Sequence, residues 1–317
     1  MDVTKTLVDL ISIDSSPQAE KTDIVDRCAD ILSGMGLVVT VEEGTIRASQ
    51  GKGGPILSGH LDTVPLGDGW SRSHGEVADG KVFGRGAADM KGGVAVMLVS
   101  ARELVRRGLA FTIYLTTDEE VGMNGAKHLA SLPATKDASA ILVCEPTDLY
   151  VAYAEKGVFR FRLITRGRSG HSSSPWLGKN AIMMMNDALS RLKDLYSNEP
   201  TGGLTMSVNT ISGGIKDNVI PDHCEADVDA RYPPSMDGSE VMRVVAERLA
   251  CCDYQIEVRK DVAPFSADPF DPFNERMTRF LRTDTVILPY ATEASVFGAV
   301  NPRTYAVSYT HLTLPTN

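Results

Sequence analysis

Apolar positions recur at helical spacing near the start of the chain and then gather into short continuous runs. "VTKTLVDLIS" and "KTDIVDRCADILSGMG" have helical spacing, and the second runs out on Gly34 and Gly36. "GPILSGHLD" is a short apolar run that reads as a buried strand. "GGVAVMLVSARELVRRG" predicts a helix ending at Gly108, "AFTIYLTTDEE" a strand, "GAKHLASL" a short helix and "SAILVCEPT" another strand. Apolar strands alternating with helices predict an α/β domain with a largely parallel sheet.

From about residue 158 the pattern changes to alternation. "VFRFRLITRG", "LTMSVNTISGG", "HCEADVDARY" and "YQIEVRKDV" read as half-exposed strands. "NAIMMMNDALSRLKDL" and "GSEVMRVVAERLACC" read as amphipathic helices, with Met183, Met184 and Met185 expected in the helix core. The order β-α-β-β-α-β is that of a ferredoxin-like domain. The proline-rich "APFSADPFDPF" follows it. The helix "NERMTRFLR" and the strand-like "TVILPYATEAS" then return to the first domain. The expected organisation is a larger domain over 1–157 and 264–306, interrupted by a smaller one over 158–263.

Three predicted strands of the larger domain end on ionisable residues. "PILSG" leads to His60 and Asp62, "FTIYLTT" to Asp118, Glu119 and Glu120, and "AILVC" to Glu145. Ligands bind beyond the carboxyl ends of parallel strands, so these groups should converge. Asp89, in the glycine-rich "VFGRGAADMKGG" just before a helix, is a fourth candidate. Each has an ordinary reading: a hydrogen-bonded strand end, a solvated turn, a helix cap. Together they do not, because unpaired charges at the ends of apolar strands are costly unless a cation compensates them. One imidazole with several carboxylates suits zinc and similar divalent ions. His74 and His128 are expected to be structural or solvent-facing.

Composition removes other classes. Among 317 residues, 43% are hydrophobic and 23% charged, and the net charge is −9. That balance argues against nucleic-acid and anionic-membrane partners, which need a basic face. Asp9 interrupts "LVDLISI", so no signal segment is read at the start, and no apolar run spans a bilayer. Five scattered cysteines without a C-x-x-C pair read as reduced thiols, hence a cytoplasmic protein.

The motifs "GHLDTVP", "GRGAADMKGG", "TTDEEVG" and "CEPT", in this order, resemble the dinuclear-zinc amidohydrolases that include acetylornithine deacetylase and succinyl-diaminopimelate desuccinylase. The likeness continues through "GRSGHSSSPWLGKNAI", "GGIKDNVIPD" and "ATEAS", to about Ala306. It implies a zinc-dependent exopeptidase-like catalytic domain with an inserted ferredoxin-like lid that mediates homodimerisation. It implies two Zn2+ per subunit, with Co2+ able to substitute. His60, Asp89 and Glu145 would hold one ion, and Asp89 would bridge to a second that Glu120 also binds. Asp62 would hydrogen-bond the far side of the His60 imidazole. Glu119 would be the general base, His171 the oxyanion donor from the partner's lid, and Arg231 with Asn218 the binders of a substrate carboxylate.

The implied reaction is hydrolysis of an N-acyl amino acid in arginine or lysine biosynthesis. "TEA" at Thr292–Ala294 resembles the acetylornithine deacetylase branch. Desuccinylase, carrier-protein lysine or ornithine deacylase and dipeptidase activities share the chemistry. A non-catalytic binding homologue is the reading from another class; it would have no need of Glu119. The resemblance stops before "VSYTHLTLPTN", Val307–Asn317, which reads as a translated sequencing adapter. The last zinc ligand is therefore expected in a continuation of the natural chain rather than at His311.

Overall fold

A computed structural model describes residues 2–67, 70–195 and 203–310, and His311 lies outside them. Two compact units form. The first comprises the chain up to Tyr153, Ser266–Val286 and the residues from Thr292 onward. The second comprises Ala154–Phe265 and Ile287–Ala291.

In the first unit the helices Val3–Ile11, Thr22–Ser33 and Lys91–Arg106 share a core with the sheet. Leu10, Ile24, Leu32, Ile46, Val94, Leu98 and Ile113 are all fully buried there. In the sheet, Ile56–His60 lies between Phe111–Thr116 and Ile141–Val143, parallel to both, and Ile141–Val143 is parallel to Thr304–Ala306. Register sets His60 opposite Thr116 and Ser58 opposite Val143. The segments after these strands, carrying Asp62, Asp118–Glu120 and Glu145, therefore leave the sheet at one edge.

The sheet is parallel only at its centre. Val38–Glu42 and Thr45–Gln50 form a hairpin that joins Phe111–Thr116 antiparallel, and Ala306 pairs antiparallel with Ala152. The hairpin turns at Glu43 and Gly44, both at positive φ (50° and 76°), the geometry a two-residue turn requires. Helical and buried-strand periodicity do not reveal it, because its outer strand exposes Val38 and Val41. Val307–Thr310, read from the sequence as the start of an adapter-derived tail, carry main-chain bonds into the unit. Val307 N–H donates to Val143 O (2.9 Å), and Leu149 N–H to Ser308 O (2.8 Å).

The Lys91–Arg106 helix starts close under a strand end. A Cβ on Gly93 would lie 2.3 Å from the carbonyl oxygen of Cys144, the residue before Glu145. Neither backbone can retreat without moving the strand end. Gly93→Ala is expected to destabilise the unit by about 1–3 kcal/mol, the usual range for overpacking. Urea unfolding at constant m-value measures it; an unchanged midpoint would show that helix and strand are free to separate.

The second unit has the β-α-β-β-α-β order, with strands Gly157–Arg166, Thr205–Gly213, His223–Tyr232 and Gln255–Val262 and helices Ala181–Arg191 and Gly238–Arg248. Spatially the sheet runs second, third, first, fourth strand, all antiparallel, which is the ferredoxin-like arrangement. Asn180 and Asp237 cap the helices, the latter with a full capping box to Glu240. Of the three consecutive methionines only Met185 is fully buried; Met183 is exposed, because a helix turns successive side chains by about 100°. Cys28, Cys144, Cys224, Cys251 and Cys252 are all free thiols. No helix among the described residues is long and apolar enough to cross a membrane.

Candidate metal centre

His60 ends its strand fully buried, at 1% exposure. Its Nδ1 lies 2.9 Å from the main-chain oxygen of Asp62 and 3.5 Å from the Asp62 carboxylate. A ring N–H at Nδ1 donating to that carbonyl leaves the Nε2 lone pair free to bind. Nε2 faces Asp89 Oδ1 at 3.2 Å and Glu145 Oε1 at 3.7 Å. Ligand atoms of these three residues all lie within 4.8 Å of one another.

That spacing tests whether the residues fit an ion. Four bonds of about 2.0–2.1 Å in a tetrahedron put neighbouring ligand atoms about 3.3 Å apart. One imidazole nitrogen and two carboxylate oxygens, nearly at that spacing and mostly buried, match a divalent cation of the zinc type. The electrostatics agree. Burial, then the Asp89 charge, hold the Glu145 carboxyl well above the usual range against the pull of His60. Burial opposes protonation of His60, yet hydrogen bonds with Asp62 and Asp89 and the charges of Glu145 and Glu119 hold its pKa well above the usual 6.5. Crowded acids with no cation among them keep protons; a divalent ion would displace them.

Asp62 has a second task beside the His60 ring, one the sequence expectation did not include. Its carbonyl takes the imidazole, while its carboxylate accepts the backbone N–H groups of Glu119 (3.2 Å) and Glu120 (3.1 Å). One buried aspartate thus fixes both the His60 ring and the acidic turn after Phe111–Thr116. Asp118 braces the same turn from the other side, accepting the N–H groups of Asn124 (2.6 Å) and Gly125 (2.9 Å). Burial pushes the Glu119 carboxyl up to about 8, with His60 opposing and Glu293, Glu120 and Asp89 adding. Glu120 lies outside the three-residue cluster; burial raises its pKa, His60 opposes, and Asp89 raises it further.

Asp89 depends on its loop. Gly86 has φ +79°, and a Cβ there would meet Thr63 Cγ2 at 2.6 Å, so the loop closes tightly over the residue after Asp62. Met90 then fills the core, its sulfur 3.2 Å from the His60 backbone nitrogen.

Glu293 is a buried acid that motif spacing did not single out as a site residue. It is wholly inaccessible; Oε1 accepts from Thr116 Oγ1 at 2.6 Å and Oε2 has no partner among the described residues. Burial pushes it up to about 7, with Thr116 opposing. Thr116 stands opposite His60 in the ladder, so Glu293 braces the strand next to the cluster. The signal was present in "ATEAS", where a glutamate lies among small residues.

His171, Asn218 and Arg231 belong to the second unit. Two of them come together: Gly170–His171 pairs with Val219–Ile220, and Ser172 N–H donates to Asn218 O at 3.1 Å. His171 Nδ1 accepts the N–H of Ser173 (3.2 Å), which places the ring proton on the exposed Nε2. Arg231 is engaged elsewhere, donating through Nε (2.6 Å) and Nη2 (3.2 Å) to Asp229. His128 lies at the surface, 3.2 Å from Glu42.

Comparison with known proteins bears on the fold and the family. The profile described as "Peptidase dimerisation domain" matches residues 153–251, and that described as "Peptidase family M28" matches residues 44–180. Acetylornithine deacetylase of Shigella sonnei (strain Ss046) is 31% identical, over 95% of this chain and 87% of its own length. Among solved structures, the M20 family metallo-carboxypeptidase Sso-CP2 of Sulfolobus solfataricus superimposes with a TM-score of 0.77 at 16% identity, covering 97% of this chain and 91% of its own. A tripeptidase of Staphylococcus aureus subsp. aureus mu50 gives 0.79 at 19% identity, covering 96% and 89%. At such identities the structures speak for the fold alone. The relative at 31% identity, matched along nearly the whole chain, decides the family: the protein belongs to the M20 family of metal-dependent amidohydrolases, the family of acetylornithine deacetylase.

Proposed function

We propose that this protein hydrolyses the amide bond of an N-acyl amino acid, with N-acetylornithine as the best-supported substrate and two zinc ions per subunit. The observation that carries the reading is the pairing of a three-ligand cluster, His60, Asp89 and Glu145, with a mostly buried Glu119 hung from Asp62 by its backbone N–H. The similarity to the Shigella deacetylase and the "TEA" run at Thr292–Ala294 support the acetylated substrate. Desuccinylase, carrier-protein deacylase and dipeptidase activities remain the rivals within the chemistry, and a binding protein without catalysis the rival outside it.

Zinc bound to this cluster would supply Lewis acidity toward a substrate carbonyl and acidify water. His60, Asp89 and Glu145 would hold one ion, and Asp89 with Glu120 would share the second. Asp62 orients the His60 ring through its carbonyl and the Glu119–Glu120 turn through its carboxylate. Glu119 takes a proton from the attacking water on a carboxylate oxygen and returns it to the departing amine. His171, its proton on Nε2, is the proposed donor to the developing oxyanion. Asn218, through the N–H groups of its side-chain amide, and Arg231, through the Nη1 that Asp229 leaves free, are the proposed carboxylate binders. Turnover of N-acetylornithine, succinyl-diaminopimelate and simple dipeptides with added Zn2+ or Co2+ tests the reading. No turnover of any of them by the metal-loaded protein would favour the binding homologue.

The dimerisation-domain match supports a homodimer through the second unit. There Thr205–Gly213 is an edge strand, exposed from Asn209 to Gly213, with Ile211 57% and Ile215 91% exposed and Met183 57% exposed on the neighbouring helix. An open edge beside exposed apolar side chains is a pairing surface for a second copy. Ile211→Lys with Ile215→Lys is expected to shift sedimentation from dimer to monomer. A double variant that sediments like wild type would exclude this face.

A further inference from the structure

The first unit holds a second polar site, separate from the metal cluster. A cavity of about 230 Å3 opens between the loop after the first helix and the glycine-rich loop, lined among others by Asp14, Ser16, Leu66, His74, Arg85 and Lys91. None of His60, Asp89, Glu119, Glu120 or Glu145 lines it.

Its cations are underused. Arg85 is half-buried, and its Nε is shielded from solvent with no hydrogen-bond acceptor among the described residues. A buried guanidinium N–H without a partner is costly, and a ligand would remove that cost. Lys91 is buried at 1% exposure; its ammonium gives two N–H groups to the carbonyls of Leu10 (3.0 Å) and Ile13 (2.9 Å). The third has no partner among the described residues. Asp14, the one acidic lining residue, is committed to its own loop, Oδ1 accepting the Ser16 N–H at 2.9 Å. Beside that one carboxylate, Arg85 and Lys91 give the lining an excess of N–H donors.

We propose that this cavity binds a compact oxyanion, a carboxylate or a phosphate, with Arg85 as its principal donor and Lys91 and His74 beside it. The volume lies below the roughly 300–1,000 Å3 of sites for drug-sized ligands, so the ligand is small. The cavity adjoins the catalytic loops: Thr63, which also lines it, follows Asp62, and Arg85 begins the turn that ends at Asp89.

Calorimetric titration of the metal-loaded protein with inorganic phosphate and, separately, with malonate tests the proposal and separates the two sources by their relative affinity. Two variants are compared with wild type at equal metal content. Arg85→Gln removes the donor; Leu66→Trp, at a side chain already 51% exposed, narrows the cavity without touching its charges. Both are expected to weaken the better-bound anion by at least ~10-fold, the scale of a lost charge-assisted hydrogen bond. Three results would overturn the proposal: no binding to wild type at millimolar anion, affinity unchanged in both variants, or binding that disappears with the metal while Arg85 is intact. The last would place the anion on the metal centre, so this test can fail while the hydrolase reading stands.

Discussion

Glu119→Gln is expected to lower kcat by at least ~10²-fold, the usual scale for losing a general base, while metal content stays at the wild-type level. The two readouts separate because of where Glu119 sits. Its side chain is not one of the three mutually close donors, and its backbone N–H, which Asp62 holds, survives the substitution. Glutamine keeps the shape and the buried volume but cannot take a proton. Burial raises the Glu119 carboxyl to about 8, so a basic carboxylate is ready near neutral pH once cations draw its proton off. Its basicity depends on its neighbours, the acids Glu293, Glu120 and Asp89, with His60 opposing. Metal analysis beside steady-state kinetics checks the prediction. Loss of metal together with activity would make Glu119 a ligand and overturn its role as base.

The parts of the site that the sequence revealed are those written in short-range pattern. An apolar run of strand length ending on His60, another ending before Asp118–Glu120 and a third ending before Glu145 announce convergence, because parallel strands end at one edge. The ferredoxin-like unit was legible for the same reason: alternation marks its strands, and Asp237 with Glu240 marks a helix start three residues apart. What pattern could not carry was the third dimension. The Val38–Gln50 hairpin turns on a Glu-Gly pair, a weaker signal than Asn-Gly, and its outer strand is not buried. Asp62 was read as a hydrogen-bond partner of the His60 ring, and its carbonyl (2.9 Å) and carboxylate (3.5 Å) both face Nδ1; what no local pattern announced is that the carboxylate also holds the Glu119 and Glu120 amides. Glu293 meets Thr116 across 177 positions of sequence, and no local spacing encodes that contact. Arg231 was read as a substrate binder, and the geometry gives two of its nitrogens to Asp229 two residues away, a pairing that alternation within one strand makes available.

Chelating the metal is expected to lower the melting temperature, and by more at pH 8 than at pH 5.5. An ion that binds only the native state stabilises it by about 2.7 kcal/mol when present at 100 times its Kd. The pH dependence follows from the acids that the ion would otherwise neutralise. Glu119 and Glu293 are raised by burial from an ordinary 4.5 to about 8 and about 7, Glu145 is raised by burial and Asp89, and His60 is held well above 6.5. A raised pKa means that the metal-free native state keeps protons that the unfolded chain has released. Its stability is therefore greatest below about pH 4.5 and falls as pH climbs through the carboxyl range toward 8. His60 acts in the same direction, its contribution present below 6.5 and lost as pH rises further. Asp62 acts in the opposite direction, its pKa lowered below 3.8 by His60 and the Glu119 and Glu120 amides against burial, but that contribution varies only below the window tested. The metal-loaded protein follows the other slope, since ligands must lose protons to bind and affinity grows with pH. The two curves diverge. Thermal unfolding with and without chelator at pH 5.5 and 8 measures the gap, and Glu145→Ala should bring the metal-loaded curve down toward the chelated one. A melting temperature indifferent to chelator, or a gap that narrows as pH rises, would show that His60, Asp89 and Glu145 hold no ion.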